Sequence, residues 1–267
     1  MSPRDVYVHG RALWAPGFAD LATFRAGVAD DAVTKPPASL VGGRMKRGTS
    51  PMCRAAIEVV TQAAADAGFD PATCATVFGS YHGEIEIAFH QLEMMRDGEG
   101  IISPARFKNS VHNTAAGLFT IGATNRGFTT AIAGGPHTFA LSLLEAWALI
   151  ASGEHDQAVV ATTEEPLPSF LDELSDHRLL GIAIALSADP DGALAKVAVP
   201  MPCTEPAPHP AVREAFADHV AAPGLALIDA VDEGWRGPLG LTPPGGGPAS
   251  LGVTVPGRGW RTELSAP

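Results

Sequence analysis

Cysteine is scarce in this sequence. The 267 residues include only Cys53, Cys74 and Cys203, and no two of these have the CxxC spacing of a redox or zinc motif. An odd number of widely spaced cysteines also argues against a disulfide framework. We therefore expect three small buried side chains, with no metal site and no bound cofactor.

Charge and long hydrophobic runs are scarce as well. Charged residues make up 18% of the chain, against about 25% in an ordinary soluble domain, which suggests that a partner protein covers part of the surface. The net charge of −11 argues against a nucleic-acid binder, which needs clustered Lys and Arg. The most apolar stretch, residues 139–151, is too short to span a bilayer and contains Glu145. With no leader-like segment at the start, we expect a soluble cytoplasmic protein.

Hydrophobic residues are abundant, at 46% of the chain, which is enough for a sizeable buried core. A helix is predicted over residues 52–67, because Ser50 is a good N-cap and Pro51 suits the first helical position. Residues 84–96 form a second predicted helix, with apolar residues at helical spacing.

The middle of the chain reads as a strand, a helix and a strand. The three segments are residues 128–133, 138–152 and 157–162. The helix between the strands is apolar nearly all round, so it belongs inside the protein. Such a unit builds parallel sheets, and it predicts an α/β fold around a central buried helix.

The turn sequence Asp189-Pro190-Asp191-Gly192 predicts a hairpin between strands over residues 182–187 and 193–199. Beyond residue 200 proline and glycine dominate. The weak elements predicted there are a helix over residues 211–220, strands over 225–228 and 251–255, and a linker over 242–248. We therefore divide the chain into an α/β domain, residues 1–200, and a Pro/Gly-rich C-terminal segment, residues 201–267.

One stretch carries a family resemblance. Residues 102–121 (ISPARFKNSVHNTAAGLFTI), followed by Arg126-Gly127, the strand, the tight turn and the buried helix, resemble the N-terminal half of β-ketoacyl-ACP synthases in order and spacing. The phrase SVHNTAAG at residues 110–117 looks closest to short chain-length-factor-like homologues of aryl polyene and related type II polyketide systems. The resemblance implies a thiolase-like fold, essentially the N-terminal half of a ketosynthase with an appended C-terminal segment.

The sequence departs from the family at the nucleophile. In active ketosynthases a cysteine lies at the turn between the strand and the buried helix, and the matching residue is Pro136, which has no nucleophilic group. The neighbours Gly134, Gly135, His137 and Thr138 offer no thiol either. The family's catalytic histidines and activating lysine lie in a second half that the Pro/Gly-rich segment cannot supply. The resemblance therefore implies a subunit without catalytic residues of its own.

The resemblance also suggests residues that shape the acyl cavity. In related condensing enzymes the segment matching residues 84–92 crosses the dimer interface and limits the length of the acyl chain. The candidates for this role are Ile85, Ile87, Ala88, Gln91, Leu92, His112 and Asn113. Apolar residues at helical spacing are equally typical of plain core, and the His-Asn pair could instead fix the start of a helix.

Two partner surfaces follow from the same resemblance. In thiolase-fold dimers the strand before the nucleophile turn pairs with its equivalent across the two-fold axis. The interface candidates are Phe128, Thr129, Thr130 and Ile132. Arg44, Lys46 and Arg47 occupy the place where ketosynthases contact the acidic acyl carrier protein, although a solvated loop is the other interpretation.

These observations predict a non-catalytic chain-length-factor-like subunit that forms a heterodimer with an active β-ketoacyl-ACP synthase. It would act in fatty-acid or polyketide biosynthesis, of the aryl polyene type, with acyl carrier protein as a second partner. One alternative is a small acyl-thioester hydrolase or transferase using Thr138, His137 or another group on the same scaffold. Another is a stand-alone module that binds acyl chains or the carrier protein.

Overall fold

A mixed β-sheet organises the computed structural model, which describes residues 3–97, 104–174, 178–204, 207–210, 216–243 and 259–267. The nine strands within these ranges are β1 (Tyr7–Trp14), β2 (Ala75–Gly79), β3 (Thr129–Ile132), β4 (Gln157–Glu164), β5 (Leu180–Ser187), β6 (Ala195–Val197), β7 (Met201–Cys203), β8 (Gly237–Gly240) and β9 (Gly259–Ser265). Their order is β3-β2-β4-β5-β1-β6-β9-β7, and β8 pairs with β9. Strand β2 is parallel to β3 and β4, and the other pairs are antiparallel.

Helices cover both faces of the sheet. They are α1 (Leu21–Ala26), α2 (Pro51–Asp66), α3 (Ile85–Arg96), α4 (Pro104–Asn109), α5 (Thr114–Ala123), α6 (Thr138–Ala151) and α7 (Ala222–Asp232), with short 3-10 helices at Gly135–His137 and Ser169–Leu174. Helices α2 and α5 pack on one face, and α6 and α7 pack on the other. Alternate residues of β5 divide between the two cores: Ile182 and Ile184 join the α6 side, and Ala183 joins the α2 side.

Helix α2 begins as its sequence predicts. The Ser50 hydroxyl accepts a hydrogen bond from the backbone N–H of Cys53 at 2.8 Å, and Pro51 is the first helical residue. Near its other end the helix lies against β1 so closely that a Cβ on Gly10 would come within 2.4 Å of the backbone oxygen of Ala63. Glycine is thus required where β1 crosses α2.

The central strand, helix and strand unit is confirmed, with β3 and β4 on either side of β2. Phe139, Leu143 and Ile150 of α6 are fully buried, as expected for a helix without a polar face. Strand β3 lies at the edge of the sheet, where β2 is its partner among the strands of the described chain.

The predicted hairpin is wrong. The turn exists, with the N–H of Ala193 donating to the carbonyl oxygen of Pro190, but β5 and β6 are not neighbours. Strand β1 lies between them, and Tyr7 is paired with Ser187 on one side and Lys196 on the other. The turn therefore connects two strands, β5 and β6, that lie on opposite sides of β1 and do not pair with each other.

The strand predicted over residues 225–228 is also wrong, because these residues belong to α7. Leu225, Leu227 and Ile228 are buried against the core beneath β5. Residues 216–220 run as turns instead of the end of the predicted helix, and residues 211–215, 251–255 and most of 242–248 lie outside the described residues. Strands β7, β8 and β9 extend the same sheet, and the division of the chain at residue 200 stays a prediction.

Candidate functional site

The turn between β3 and α6 is where the family's nucleophile is expected. Gly135 has a φ of 59°, in the left-handed region that favours glycine, and Pro136 follows it in the 3-10 helix. The buried Thr138 hydroxyl donates to the Gly135 carbonyl oxygen at 2.7 Å and accepts from the Gly134 N–H at 3.0 Å. The Thr138 hydroxyl thus stabilises the turn, and it donates its proton to a backbone carbonyl.

The structure does not bring Thr138 and His137 together as a dyad. Thr138 makes its hydrogen bonds within the turn, and burial lowers the pKa of His137. The Nδ1 atom of His137 is buried without a hydrogen-bond partner among the residues that the structure describes. A base activating the Thr138 hydroxyl would have to accept its proton, and no such bond is formed here.

His112 joins the start of α5 to the loop after β2. Its Nε2 donates to the carbonyl oxygen of Ser80 at 2.8 Å, and its ring packs against Gly83, where a Cβ would be 3.0 Å from Cδ2. Asn113 is the N-cap residue of α5, but it is exposed and its side chain makes no capping hydrogen bond. Only His112 of this pair therefore makes a contact that fixes local structure.

The five candidates on α3 differ in burial. Ile85, Ile87 and Ala88 are half-buried, Gln91 is buried, and 60% of Leu92 is exposed. Among the seven acyl-cavity candidates, Ile87 lines a cavity of about 620 Å³ formed by residues 48–51, one face of α3, Arg106 of α4, Glu165 and residues 168–170. The other six candidates are not among the residues that line this cavity, and the role of all seven in acyl binding stays a prediction.

The four interface candidates lie at the sheet edge. Phe128 leads into β3, while Thr129, Thr130 and Ile132 lie within it, and all four are half-buried. The Thr129 hydroxyl accepts a hydrogen bond from the Thr76 hydroxyl of β2 at 2.9 Å. The opposite side of β3 has no strand partner within the described ranges, so this edge is available for pairing with another chain.

The basic run lies in turns that precede α2. Arg44 and Arg47 are exposed, and Lys46 is half-buried, with its ammonium donating to the carbonyl oxygen of Pro37. The Lys46 carbonyl oxygen in turn accepts from the Arg54 guanidinium at 2.8 Å. The two exposed arginines are therefore the part of this run that a partner could reach.

Sequence reasoning missed a group of buried carboxyls at the carboxyl ends of β2 and β4. Glu164 is fully buried and accepts hydrogen bonds from the Tyr81 N–H at 2.6 Å and the Ser80 hydroxyl at 3.2 Å. Burial raises the pKa of Glu164 to about 8, although these hydrogen bonds act in the opposite direction. The Glu164 side chain thus holds the loop between β2 and α3 in place.

Two further carboxyls, Glu84 and Glu165, are 3% and 4% exposed. Burial raises the pKa of Glu84 to about 7, with the Ser50 hydroxyl favouring the charged form. Burial and then the nearby Glu84 and Glu86 raise the pKa of Glu165 to about 8. The approach of Ser50 to Glu84 does not have hydrogen-bond geometry, so both Glu84 oxygens, like Oε1 of Glu165, are without a hydrogen-bond partner in the part of the chain that the structure describes.

A sequence signal for these carboxyls does exist. The pair Glu164-Glu165 ends a buried strand and precedes Pro166, and the carboxyl ends of parallel strands are where sites of α/β proteins lie. Within the described ranges no group of three or more His, Cys, Asp or Glu residues could hold a metal ion. No helix in those ranges is both long and apolar enough to cross a membrane.

Comparison with known proteins adds to this geometry. A family model described as β-ketoacyl synthase, N-terminal domain, matches residues 25–220. A search of curated proteins finds no match.

Solved structures with a similar fold include a chain of the complex between the ketosynthase ApeO and its chain length factor ApeC from Xenorhabdus doucetiae. The TM-score is 0.69 at 19% identity, covering 97% of this chain and 99% of that one. A chain of AntDE:AntF, a type II polyketide acyl-carrier protein in complex with its ketosynthase, gives 0.67 at 11% identity, covering 99% and 100%. A β-ketoacyl synthase from Burkholderia phymatum STM815 gives 0.62 at 15% identity, covering 85% and 70%.

Proposed function

Because the chain belongs to the β-ketoacyl synthase family, whose N-terminal domain it carries, we propose that it is a non-catalytic, chain-length-factor-like subunit of a ketosynthase. It would pair with an active β-ketoacyl-ACP synthase in fatty-acid or polyketide biosynthesis, of the aryl polyene type. The predicted thiolase-like α/β fold is confirmed.

The observation that carries the proposal is the turn at Pro136. Acyl transfer in this family needs a nucleophile at the start of the buried helix, and proline supplies none. The Thr138 hydroxyl, two residues further on, is committed to the Gly135 carbonyl. In the proposed complex the partner supplies the cysteine, histidine and lysine chemistry, while this chain supports the ketosynthase and shapes its acyl cavity.

The exposed edge of β3 supports pairing with a similar subunit. A short strand with an unpaired side is a template for another strand, and burying it prevents aggregation. Several large apolar side chains on α3, α4 and α5 are also exposed, among them Leu92, Met95, Phe107 and Ile121. Apolar surface of this kind is typical of protein interfaces. A solved complex of a ketosynthase with its chain length factor has a chain of similar fold.

Two surfaces complete the proposal. The α3 segment, through Ala88 and Gln91, would limit acyl chain length, and the exposed Arg44 and Arg47 would attract the acidic acyl carrier protein. A hydrolase or transferase activity that uses Thr138 and His137 has no support from the geometry, because the two residues do not form a dyad.

Co-expression with the cognate ketosynthase tests the pairing. We expect a soluble one-to-one complex for the wild type and loss of it for Ile132→Lys, since this change places a charge on the edge strand where pairing would desolvate it. Val28→Lys is the matched control, because Val28 is 65% exposed and follows α1, which packs against β1, and three strands separate β1 from β3 in the sheet. A one-to-one complex that survives Ile132→Lys would refute the pairing through β3.

Mass spectrometry of the intact chain tests the absence of catalysis. After incubation with acyl-ACP or acyl-CoA we expect no acyl adduct on this chain and a stoichiometric adduct on the ketosynthase. A stoichiometric adduct on any residue of this chain would contradict the non-catalytic assignment and favour the hydrolase or transferase alternative.

A further inference from the structure

The cavity beside α3 has the size of a small-molecule site. Its volume of about 620 Å³ lies within the roughly 300–1,000 Å³ of typical ligand pockets. Residues 48–51 and the start of α2 form one side, α3 another, Arg106 a third, and Glu165 with residues 168–170 the last. Segments that are distant in the sequence therefore build one depression.

Its lining is acidic. Glu86 and Glu93 lie seven residues apart on α3, so two helical turns place both carboxylates on the same face of the helix. Glu165 adds a third carboxyl from the end of β4. Arg106 is the one lysine or arginine among the described residues that line the cavity, and His90 lies with its Nδ1 4.0 Å from Glu93 Oε2.

Glu165 gives the strongest indication of a ligand. The backbone N–H of Met52 in the first turn of α2 favours its charged form, but Oε1 is buried without a partner in the described chain. A buried carboxyl oxygen without a donor is unfavourable by several kcal/mol for the charged form, so Glu165 stays neutral unless a donor or a cation compensates its charge. Glu165 is among the residues that line the cavity, so a cation bound there lies beside this carboxyl.

An aromatic wall stands beside the carboxyls. The rings of Phe89 and Phe170 are 4.2 Å apart between centroids, and both residues line the cavity. Aromatic faces attract organic cations and also pack against alkyl chains. Three carboxyls with an aromatic wall suit a positively charged organic group.

We propose that this cavity binds the ammonium or guanidinium head of an alkyl cation, with Glu165 and Glu86 as counter-ions and the Phe89–Phe170 wall against its stem. This binding site does not depend on the proposed function. The cation can be a free amine, or the lysine or arginine side chain of a partner subunit, since both present the same chemistry.

Calorimetric titration with three ligands that share a six-carbon chain separates charge from apolar contact. The probes are hexylamine, hexan-1-ol and hexanoate, added to the full chain purified alone or in its complex. We expect hexylamine to bind at one site, and the neutral and anionic probes to bind at least about tenfold more weakly. Equal affinity for hexylamine and hexan-1-ol would overturn the proposal.

Carboxyl substitutions place the site. At pH 8.5, where Glu165 is mostly ionised, Glu165→Gln and Glu86→Gln should each weaken hexylamine binding about tenfold or more. Glu154→Gln, an exposed residue outside the cavity, should leave it unchanged. Glu86 is itself exposed, so its variant tests the site even if Glu165→Gln does not fold. Equal binding by all three variants and the wild type would also overturn the proposal.

If the bound cation is a lysine or arginine side chain of a partner subunit, the results of these experiments differ. In that case the complex does not bind hexylamine, but Glu86→Gln and Glu165→Gln weaken the complex about tenfold. A carbodiimide then links a partner lysine to one of these carboxyls. Failure of both the amine titration and this effect on the complex refutes the site.

Proton linkage provides a second readout. Among the described residues, the titratable groups around Glu165 include Glu84, Glu86, Glu164, Cys53, His90, Glu93 and Arg106. With a pKa of about 8, Glu165 must lose a proton to bind a cation, so affinity should rise about twentyfold from pH 6.5 to pH 8.5. Glu165→Gln should remove most of this rise, and an equal rise in the variant would contradict the role of Glu165.

Discussion

Replacing Glu84 with glutamine should stabilise the protein at alkaline pH. Glu84 is 3% exposed, and neither of its oxygens has a hydrogen-bond partner among the described residues. Burial raises its pKa from 4.5 to about 7, so above that pH the folded protein holds a carboxylate with little solvation. Glutamine has nearly the same shape and carries no charge.

The size of the effect follows from the pKa. A rise from 4.5 to about 7 corresponds to roughly 3 kcal/mol of unfavourable ionisation once the pH is well above 7. Because the folded pKa lies above the unfolded one, the folded state binds more protons between these values. The contribution of the protonated Glu84 carboxyl to the free energy of unfolding is complete below pH 4.5 and is lost as the pH rises through 7.

Urea unfolding at pH 5, 7 and 9 measures this directly. The free energy of unfolding of Glu84→Gln minus that of the wild type should become more positive by up to about 3 kcal/mol from pH 5 to pH 9. The melting temperature difference should grow by roughly 6–12 °C over the same range. Any effect of the glutamine amide itself on the free energy of unfolding is equal at every pH. Only the pH dependence of the difference therefore reports the ionisation of Glu84.

A matched control is Glu154→Gln, which changes an exposed glutamate after α6 and should give the same difference from wild type at all three pH values. If the Glu84→Gln difference is also constant with pH, the carboxyl of Glu84 is not held in an unfavourable environment, and the reasoning is refuted.

Two further changes test acyl-chain selection and packing. Ala88→Phe should shorten the product of the complex without abolishing it, because a ring on this half-buried helix position excludes longer chains; an unchanged product length by mass spectrometry means that α3 is ordinary core. In urea unfolding, Gly10→Ala should destabilise the chain by about 1–3 kcal/mol, because the new Cβ would clash with the backbone of Ala63. Gly117→Ala on α5 should stabilise the chain by about 0.5–1 kcal/mol, because the new Cβ meets nothing within 4 Å. Equal effects of the two alanines would refute the packing argument.

Local signals allowed part of the fold to be predicted. Helix α2 is defined by Ser50 and Pro51 at its start, and α6 by an apolar run that is too long for a strand. These signals come from residues that are close together in the chain, so they can be recognised in a single sequence. The family resemblance added the thiolase-like arrangement of the sheet, which no local pattern indicates.

Non-local features escaped prediction. The run LALI at residues 225–228 suits a strand or a buried helix equally, and only packing beneath β5 makes it α7. The hairpin failed because β1 inserts between β5 and β6. The carboxyls Glu84 and Glu165 come together across 80 residues of chain, and neither lies in a motif whose spacing reports the contact.

The position of β1 has a consequence for how the protein is made on the ribosome. Tyr7 pairs with Ser187, about 180 residues later in the chain. At a translation rate of 5–20 residues per second, β1 must wait roughly 10–35 s for its partner strand to be synthesised. During that time Val8, Leu13 and Trp14, all fully buried in the finished fold, have no sheet to enter. Nascent chains arrested before residue 180 should therefore be cleaved readily by protease within β1 and bind chaperones there, and protection should appear once β5 has emerged.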